Sequence, residues 1–339
     1  MKVMKFGGTS VGSTEAVLNV KKIVESQKES VVVVVSALSG VTDQLYRISQ
    51  LAASGNETYL DEYNQMFARH MQMIAETVLP EKQAEVELQI QKIFTDLLNI
   101  FRGIFLIKDT SVKITDTVVS YGEMISSVLI ANIIRGAVHF DSRRFIKTQN
   151  QFDKHIVDFK TTNELIQQIF KDAPSIVVCG GFIATDVHTN QVTNLGRGGS
   201  DYTAAILAAA LNASILEIWT DVDGFMTADP RIINNAYVID RLSYSEAMEL
   251  SNFGAKVIYP PTIFPAFHRN IPIVIKNTFR PEASGTYISQ EKSGEKSKAI
   301  KGISSINDTS LITIRGLGMV GVIGVNYRIF RTLAKNGIS

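Results

Sequence analysis

Five consecutive valines, Val31 to Val35, constrain this chain more than any other stretch. Side chains along a strand alternate between its two faces, so an unbroken β-branched run has no face to give to water. Such a strand must be covered on both sides, as happens inside a mainly parallel sheet flanked by helices. The neighbouring segments keep the matching rhythm: Val3 to Phe6 reads as a strand, Thr14 to Gln27 as a helix, and Thr42 to Ala53 as a second helix. The expected fold class is α/β.

The rest of the chain can supply that cover. With 45% hydrophobic residues and a mean hydropathy of +0.10, its 339 residues can bury a large core, and a disordered or fibrous chain is excluded. At roughly 150 residues per domain the length fits two domains. Thirty-four Lys and Arg balance 33 Asp and Glu, leaving a net charge of +1 and no bulk reason to seek nucleic acid or anionic lipid. A single cysteine, Cys179, allows neither an internal disulfide nor a cysteine zinc cage. Its apolar surroundings, Ser175 to Cys179, predict an inert buried thiol in a reducing compartment. Glycines interrupt the N-terminus before any signal-peptide core can form, and Thr203, Asn212, Ser214 and Glu217 break the most membrane-like window. A cytoplasmic location without a membrane span is expected.

From Tyr59 to Ile107 the apolar residues recur at three- and four-residue steps, and Pro80 divides this region into two helices. A third helix is expected over Thr117 to Arg135, and strand signals return at Val138 to Phe140, Ile176 to Cys179, Ile215 to Thr220 and Ile273 to Lys276. Ser289 to Lys298 is wholly polar and reads as part of a linker. Beyond it stand one strand, Leu311 to Ile314, a glycine turn and an amphipathic helix, Asn326 to Lys335. That is too little to close a core. The expected boundaries are a catalytic domain over 1–288, a linker over 289–302, and the start of a second domain over 303–339, cut short or completed by a partner chain.

Two glycine turns carry the chemistry. Lys5 ends the first strand and precedes Gly7-Gly8-Thr9-Ser10. Glycines let main-chain N–H groups converge on an anion, and the helix that follows adds its partial positive charge. A lone Gly-Gly beside a lysine would read as an ordinary strand-turn-helix. A second turn, Leu195-Gly196-Arg197-Gly198-Gly199-Ser200-Asp201, precedes an Ala-rich helix and spends three glycines in four positions, which is costly unless the backbone must approach something closely. Arg197 there can offer a planar fork to a carboxylate. Asp201 is either a site residue or only an N-cap. A third segment, Trp219 to Gly224, leaves a strand into an acidic turn; its spacing fails the calcium-loop pattern, while its strand-end position suits a nucleotide.

Lys5-Phe-Gly-Gly-Thr-Ser-Val11, Gly122-Glu123, Leu195 to Asp201, Trp219 to Gly224 and Phe253-Gly-Ala-Lys-Val257, in this order, resemble aspartokinase over roughly the first 285 residues. Lys276-Asn-Thr278, Lys301 to Ser304 and Gly316 to Gly321 look most like the bifunctional aspartokinase/homoserine dehydrogenase branch. The resemblance implies the amino-acid kinase fold, a three-layer α/β/α sandwich, followed by an incomplete α+β ACT-type regulatory unit. It also implies a homo-oligomer and, in a full-length chain, regulatory and dehydrogenase regions with feedback by threonine. Gly316-x-Gly-x-x-Gly321 mimics a dinucleotide fingerprint, but only 18 residues follow it, so an ACT turn is the better reading.

The implied activity is ATP-dependent phosphorylation of the side-chain carboxylate of L-aspartate. That carboxylate, with a reference pKa near ~3.9, is already a nucleophile and needs no general base. The five histidines, at 70, 139, 155, 188 and 268, accordingly fall in no recognisable metal spacing. By resemblance Lys5, Gly8 and Asp201 are catalytic, and Thr42, Glu123, Arg197 and Ser200 hold aspartate. Gly7, Gly8, Thr9, Ser10, Thr220, Asp221, Arg231 and Lys256, with Lys5, hold the nucleotide. Glu123 suits an ammonium group, with a structural ion pair as its alternative; Arg231 and Lys256 have surface salt bridges as theirs. Magnesium should accompany ATP through phosphate oxygens and water, with no protein ligand named. The chain lacks the Gly-x-x-x-x-Gly-Lys-Ser/Thr loop and the His-Arg-Asp and Asp-Phe-Gly signatures of other kinases. Two rival functions are another amino-acid or carbamate kinase of the superfamily and a non-catalytic amino-acid sensor.

Overall fold

The computed structural model describes residues 1–151, 154–255, 257–290, 300–306, 313–315 and 323–336. In chain order it contains β1 (Lys2–Phe6), α1 (Thr14–Glu25), β2 (Val31–Val35), α2 (Val41–Ala53), α3 (Tyr59–Thr77), α4 (Pro80–Ile107) and α5 (Val112–Ile133). Next come β3 (Ala137–His139), β4 (Lys147–Gln151), β5 (Lys154–Val157), α6 (Phe159–Ile169), β6 (Ile176–Gly180), β7 (Ile183–Asp186), β8 (Val192–Asn194), α7 (Gly199–Ala210) and β9 (Leu216–Thr220). The series closes with β10 (Arg241–Ser243), α8 (Tyr244–Asn252), α9 (Ile263–His268), β11 (Ile273–Asn277), β12 (Thr286–Ser289) and α10 (Val325–Lys335).

Eight strands form one sheet in the order β10-β12-β11-β9-β1-β2-β6-β3. Every neighbouring pair is parallel except β11 and β12. The valine run is central, with Val33 flanked in register by Met4 and Val178. All five valines are buried, and they divide between two cores as the alternation demands. Val31, Val33 and Val35 pack with the apolar faces of α1 to α5, while Val32 and Val34 pack on the other side with the alanines of α7 and with Cys179. The expected three-layer α/β/α sandwich is therefore present. Burial pushes the Cys179 thiol up to about 12, as befits an inert core residue.

Several boundaries moved for local reasons. Helix α5 begins at Val112, five residues before the expected Thr117, because the Ser111 side chain caps it by accepting from the Ile114 N–H. Helix α7 begins at Gly199 rather than Tyr202, with the glycine turn running straight into its first turn. A second sheet, in the order β5-β4-β7-β8, had no counterpart in the sequence reading. Its strand β4 reads Lys-Thr-Gln-Asn-Gln, which presents no apolar alternation to detect.

The chain divides into two compact units, Met1–Ser304 and Ser305–Ser339. Residues 300–302 of the expected linker and 303–304 of the expected second domain belong to the first unit. Lys301 Nζ lies 2.7 Å from Glu246 Oε1, and the Ile303 N–H donates to the Thr227 carbonyl at 2.9 Å. In the second unit α10 follows Gly324, whose φ is +87°. Leu311 and Ile312 of the expected strand and the whole turn Gly316 to Gly321 lie outside the described residues, while Thr313 and Ile314 are described but are not in a strand.

Candidate functional site

In a parallel sheet all strand ends point one way, and the cleft lies at the carboxyl edge, where β1, β2 and β9 run out. Its volume is about 530 Å³. The wall takes Lys5, Gly7, Gly8 and Thr9 from β1 and its turn, and Thr220 and Asp221 from the end of β9. Thr42 comes from the first turn of α2, Glu123 from α5, and Ser200 and Asp201 from the first turn of α7. These ten expected residues, distant in sequence, share one cavity.

The first turn is built by spending some amides and sparing others. Gly7 N–H donates to the Trp219 carbonyl at 3.1 Å, so that amide is not available to a ligand as its glycine suggested. The Gly8 and Thr9 amides have no acceptor among the described residues. Helix α1 is not the continuation of this turn: a short 3₁₀ segment, Thr9–Val11, intervenes, and Ser13 caps α1 with its own side chain.

Lys5 Nζ stands 2.6 Å from Asp201 Oδ1, with the two side chains only 11% and 13% exposed. The approach is an ion pair rather than an aligned hydrogen bond. Asp201 is not the N-cap of α7; that position is Gly198, in the left-handed region at φ +70°. A side chain at Gly198 would also collide with the Tyr259 ring, so both conformation and space require glycine there.

Glu123 is 4% exposed and its Oε2 has no partner. Burial pushes its carboxyl up to about 8, against the lowering effect of the Ala37 N–H and of Lys5. It reaches the cleft because Gly122 lets α5 sit against the loop after β2. A Cβ on Gly122 would stand 2.7 Å from the Ala37 Cβ. No cation satisfies Glu123, so the structural ion pair considered for it is absent among the described residues, and the cleft holds a buried acid with an open oxygen.

Other expected residues are placed differently. Ser10 is fully buried; its Oγ contacts the Trp219 carbonyl at 3.3 Å and Thr278 Oγ1 at 2.7 Å, and it forms no part of the wall. Arg197 is exposed between two wall residues, Gly196 and Gly198, and has no carboxylate partner among the described residues. Arg231 is 86% exposed and bidentate to Asp229, the surface pairing that was its alternative. Lys256 lies outside the described residues. In the acidic turn, Asp223 is occupied by Asn277 Nδ2 at 2.7 Å and by Arg280, leaving Asp221 to the cleft.

The wall also contains residues the sequence reading missed: Ser36 to Gly40, Asp43 and Phe182. The signal was available for the first group, since β2 ends beside β1 and its loop closes on Gly40 at φ +78°. Phe182, at φ +65°, had none. Among the described residues no three His, Cys, Asp or Glu side chains gather as a metal site, and no helix is long and apolar enough to cross a membrane.

Residues 1–277 match the amino acid kinase family. The chain is 34% identical over 341 residues to the chloroplastic bifunctional aspartokinase/homoserine dehydrogenase 1 of Zea mays, covering 97% of this chain and 37% of that protein. It is 33% identical over 345 residues to lysine-sensitive aspartokinase 3 of Escherichia coli, covering 99% of this chain and 74% of that one. The crystal structure of E. coli aspartokinase III in complex with aspartate and ADP superposes with a TM-score of 0.77 at 33% identity, covering 87% of this chain and 65% of that one. The chain thus spans little more than a third of the length of the bifunctional relative.

Proposed function

Because the chain belongs to the aspartokinase branch of the amino acid kinase family, we propose that it transfers the terminal phosphoryl group of ATP to the side-chain carboxylate of L-aspartate. The product is 4-phospho-L-aspartate, the entry to threonine, methionine and lysine synthesis. The observation that carries this reading is the open, buried Oε2 of Glu123 in the same cavity as Lys5 and the two spare amides of Gly8 and Thr9. A buried carboxyl without a partner is expensive, and an amino-acid ammonium is the group that would satisfy it.

In this reading the acceptor carboxylate attacks unaided, because it is ionised at neutral pH. One of its oxygens forms a bond to the terminal phosphorus as the bond from that phosphorus to the β,γ-bridging oxygen breaks, and ADP leaves with that oxygen. The chain's own task is alignment and charge neutralisation. Lys5 screens the repulsion between the two anions. Asp201 holds the Lys5 ammonium in place, and the Gly8 and Thr9 amides face phosphate oxygens. Glu123 takes the ammonium of aspartate, Arg197 a carboxylate, and Thr42 and Ser200 the remaining polar atoms. Thr220 and Asp221 flank the nucleotide. Magnesium carried by ATP would be held largely by phosphate oxygens and water; Asp221 would add to its shell, and the ion would lessen the charge on the phosphates. Ser10 and Arg231 retain their proposed nucleotide roles only if the nucleotide-bound protein brings them to the phosphates; Lys256 keeps its role as a proposed phosphate contact.

We further infer a cytoplasmic homo-oligomer; the likeness to bifunctional relatives, which covers 97% of this chain, supports regulatory and homoserine dehydrogenase regions in a full-length protein. The reaction is tested by trapping the acyl phosphate with hydroxylamine. ATP-dependent hydroxamate should form with L-aspartate; hydroxamate only with L-glutamate or N-acetylglutamate would move the protein to another kinase of the superfamily. None with any of them would leave an amino-acid sensor.

A further inference from the structure

Asn194 ends β8, immediately before the turn that carries Arg197 and leads into Ser200 and Asp201. Both ends of its side-chain amide are used. Oδ1 accepts from the Gly196 N–H at 3.0 Å, an Asx-type turn that shapes the backbone where Gly196 stands at φ +68°. Nδ2 donates to Asp116 Oδ1 at 2.8 Å. Asp116 lies on α5, the helix that delivers Glu123 to the cleft wall, and its side chain is only 16% exposed. Its second oxygen is 3.7 Å from His155 Nε2 on β5.

The orientation of the Asn194 amide is forced. Exchanging its oxygen and nitrogen would set a carbonyl against the Asp116 carboxylate and an NH₂ against the Gly196 N–H, so both contacts would turn repulsive. The carboxylate thereby decides how the glycine turn is folded, although neither Asp116 nor Asn194 belongs to the cleft wall. We propose that Asp116 is a positioning residue for acceptor recognition: through Asn194 it holds the Gly196–Gly199 turn, and with it Arg197 and Ser200, in register with Glu123. This rests on the aspartate kinase reading given above, but its geometric part does not depend on it.

Two readouts on Asp116→Ala and Asp116→Asn in the full chain test it. In Asp116→Ala, amide hydrogen exchange over residues 194–200 should quicken at least roughly five-fold while β1 and β2 stay protected. The KM for aspartate should rise about ten-fold, the loss expected for a hydrogen bond to a charged group, with the KM for ATP within about two-fold. Asp116→Asn keeps an oxygen for Asn194 Nδ2 and should recover most of both effects. Unchanged exchange in the turn overturns the proposal. So does a parallel rise in both KM values with a lowered Tm, which is what general destabilisation gives. If the unmodified protein shows no aspartate-dependent turnover, the functional reading fails, yet the exchange measurement still decides whether Asp116 sets the turn.

Discussion

At the scale of single residues the site turns on two largely buried ionisable groups, Lys5 and Glu123. Removing the Lys5 ammonium leaves Asp201 unpaired and the phosphoryl group unscreened. Lys5→Ala should lower turnover by about 10²–10³, the usual cost of losing one preorganised electrostatic contact, with aspartate affinity changed far less; unchanged turnover would end the role given to Lys5. Glu123 makes a prediction in pH. With its carboxyl pushed up to about 8, it is mostly neutral at pH 7 and must ionise to receive an ammonium. Aspartate KM should therefore fall as pH rises toward 8, by up to about ten-fold per unit well below it. Folding runs the other way. The native state holds this proton more tightly than the unfolded chain, whose ordinary value is 4.5, so stability from this group is lost as pH rises from 4.5 through about 8. Glu123→Gln should flatten both profiles, and a pH-independent KM in the unmodified protein would show that Glu123 does not bind the ammonium. Which residues share the cavity was legible wherever a glycine turn met a strand end. What Ser10 does was not, because the sequence cannot say that its hydroxyl turns inward to Trp219 and Thr278. Nor could it say that the Arg231 guanidinium would be occupied two residues away by Asp229.

At the scale of elements, legibility followed apolar pattern. The all-valine β2 announced its two covered faces, and Pro80 separated α3 from α4, because both signals are local and strong. The sheet β5-β4-β7-β8 went unread because β4 is polar and its main-chain partners, not its side chains, define it. The contact of α5 with the loop after β2 was equally hidden, since Gly122 matters only through the Ala37 methyl it lets approach. That contact can be tested from both sides. Gly122→Ala should destabilise the protein by about 1–3 kcal/mol, the typical cost of overpacking, and should raise aspartate KM by moving Glu123. Adding Ala37→Gly vacates the same space and should restore much of both; double-variant losses that simply add would mean that the two sites do not meet.

At the scale of the molecule, composition ends the catalytic domain at 288, before the polar stretch, whereas contacts carry the first unit on to Ser304. A run of Glu, Lys, Ser and Gly has no apolar residue to bury, so it reads as the end of a domain whatever lies beyond it. The few residues after it return to the first unit by means that sequence pattern does not register. Lys301 pairs with Glu246, whose carboxylate also completes the capping box of α8 with Ser243. The Ile303 N–H adds one main-chain hydrogen bond to Thr227, and Gly302 lies close enough to Ile239 and Leu250 that a Cβ would stand 3.3 and 3.4 Å from them. A half-exposed ion pair contributes about 0–1 kcal/mol and a hydrogen bond about as much. The return segment should therefore add a small stabilisation near α8 without touching the cleft. A chain ending at Ser304 should unfold in a single transition and keep its phosphoryl transfer. One ending at Gln290, which retains β12 but not the return, should melt lower by a few degrees with aspartate KM unchanged. Equal melting of the two chains would place the boundary where the composition put it.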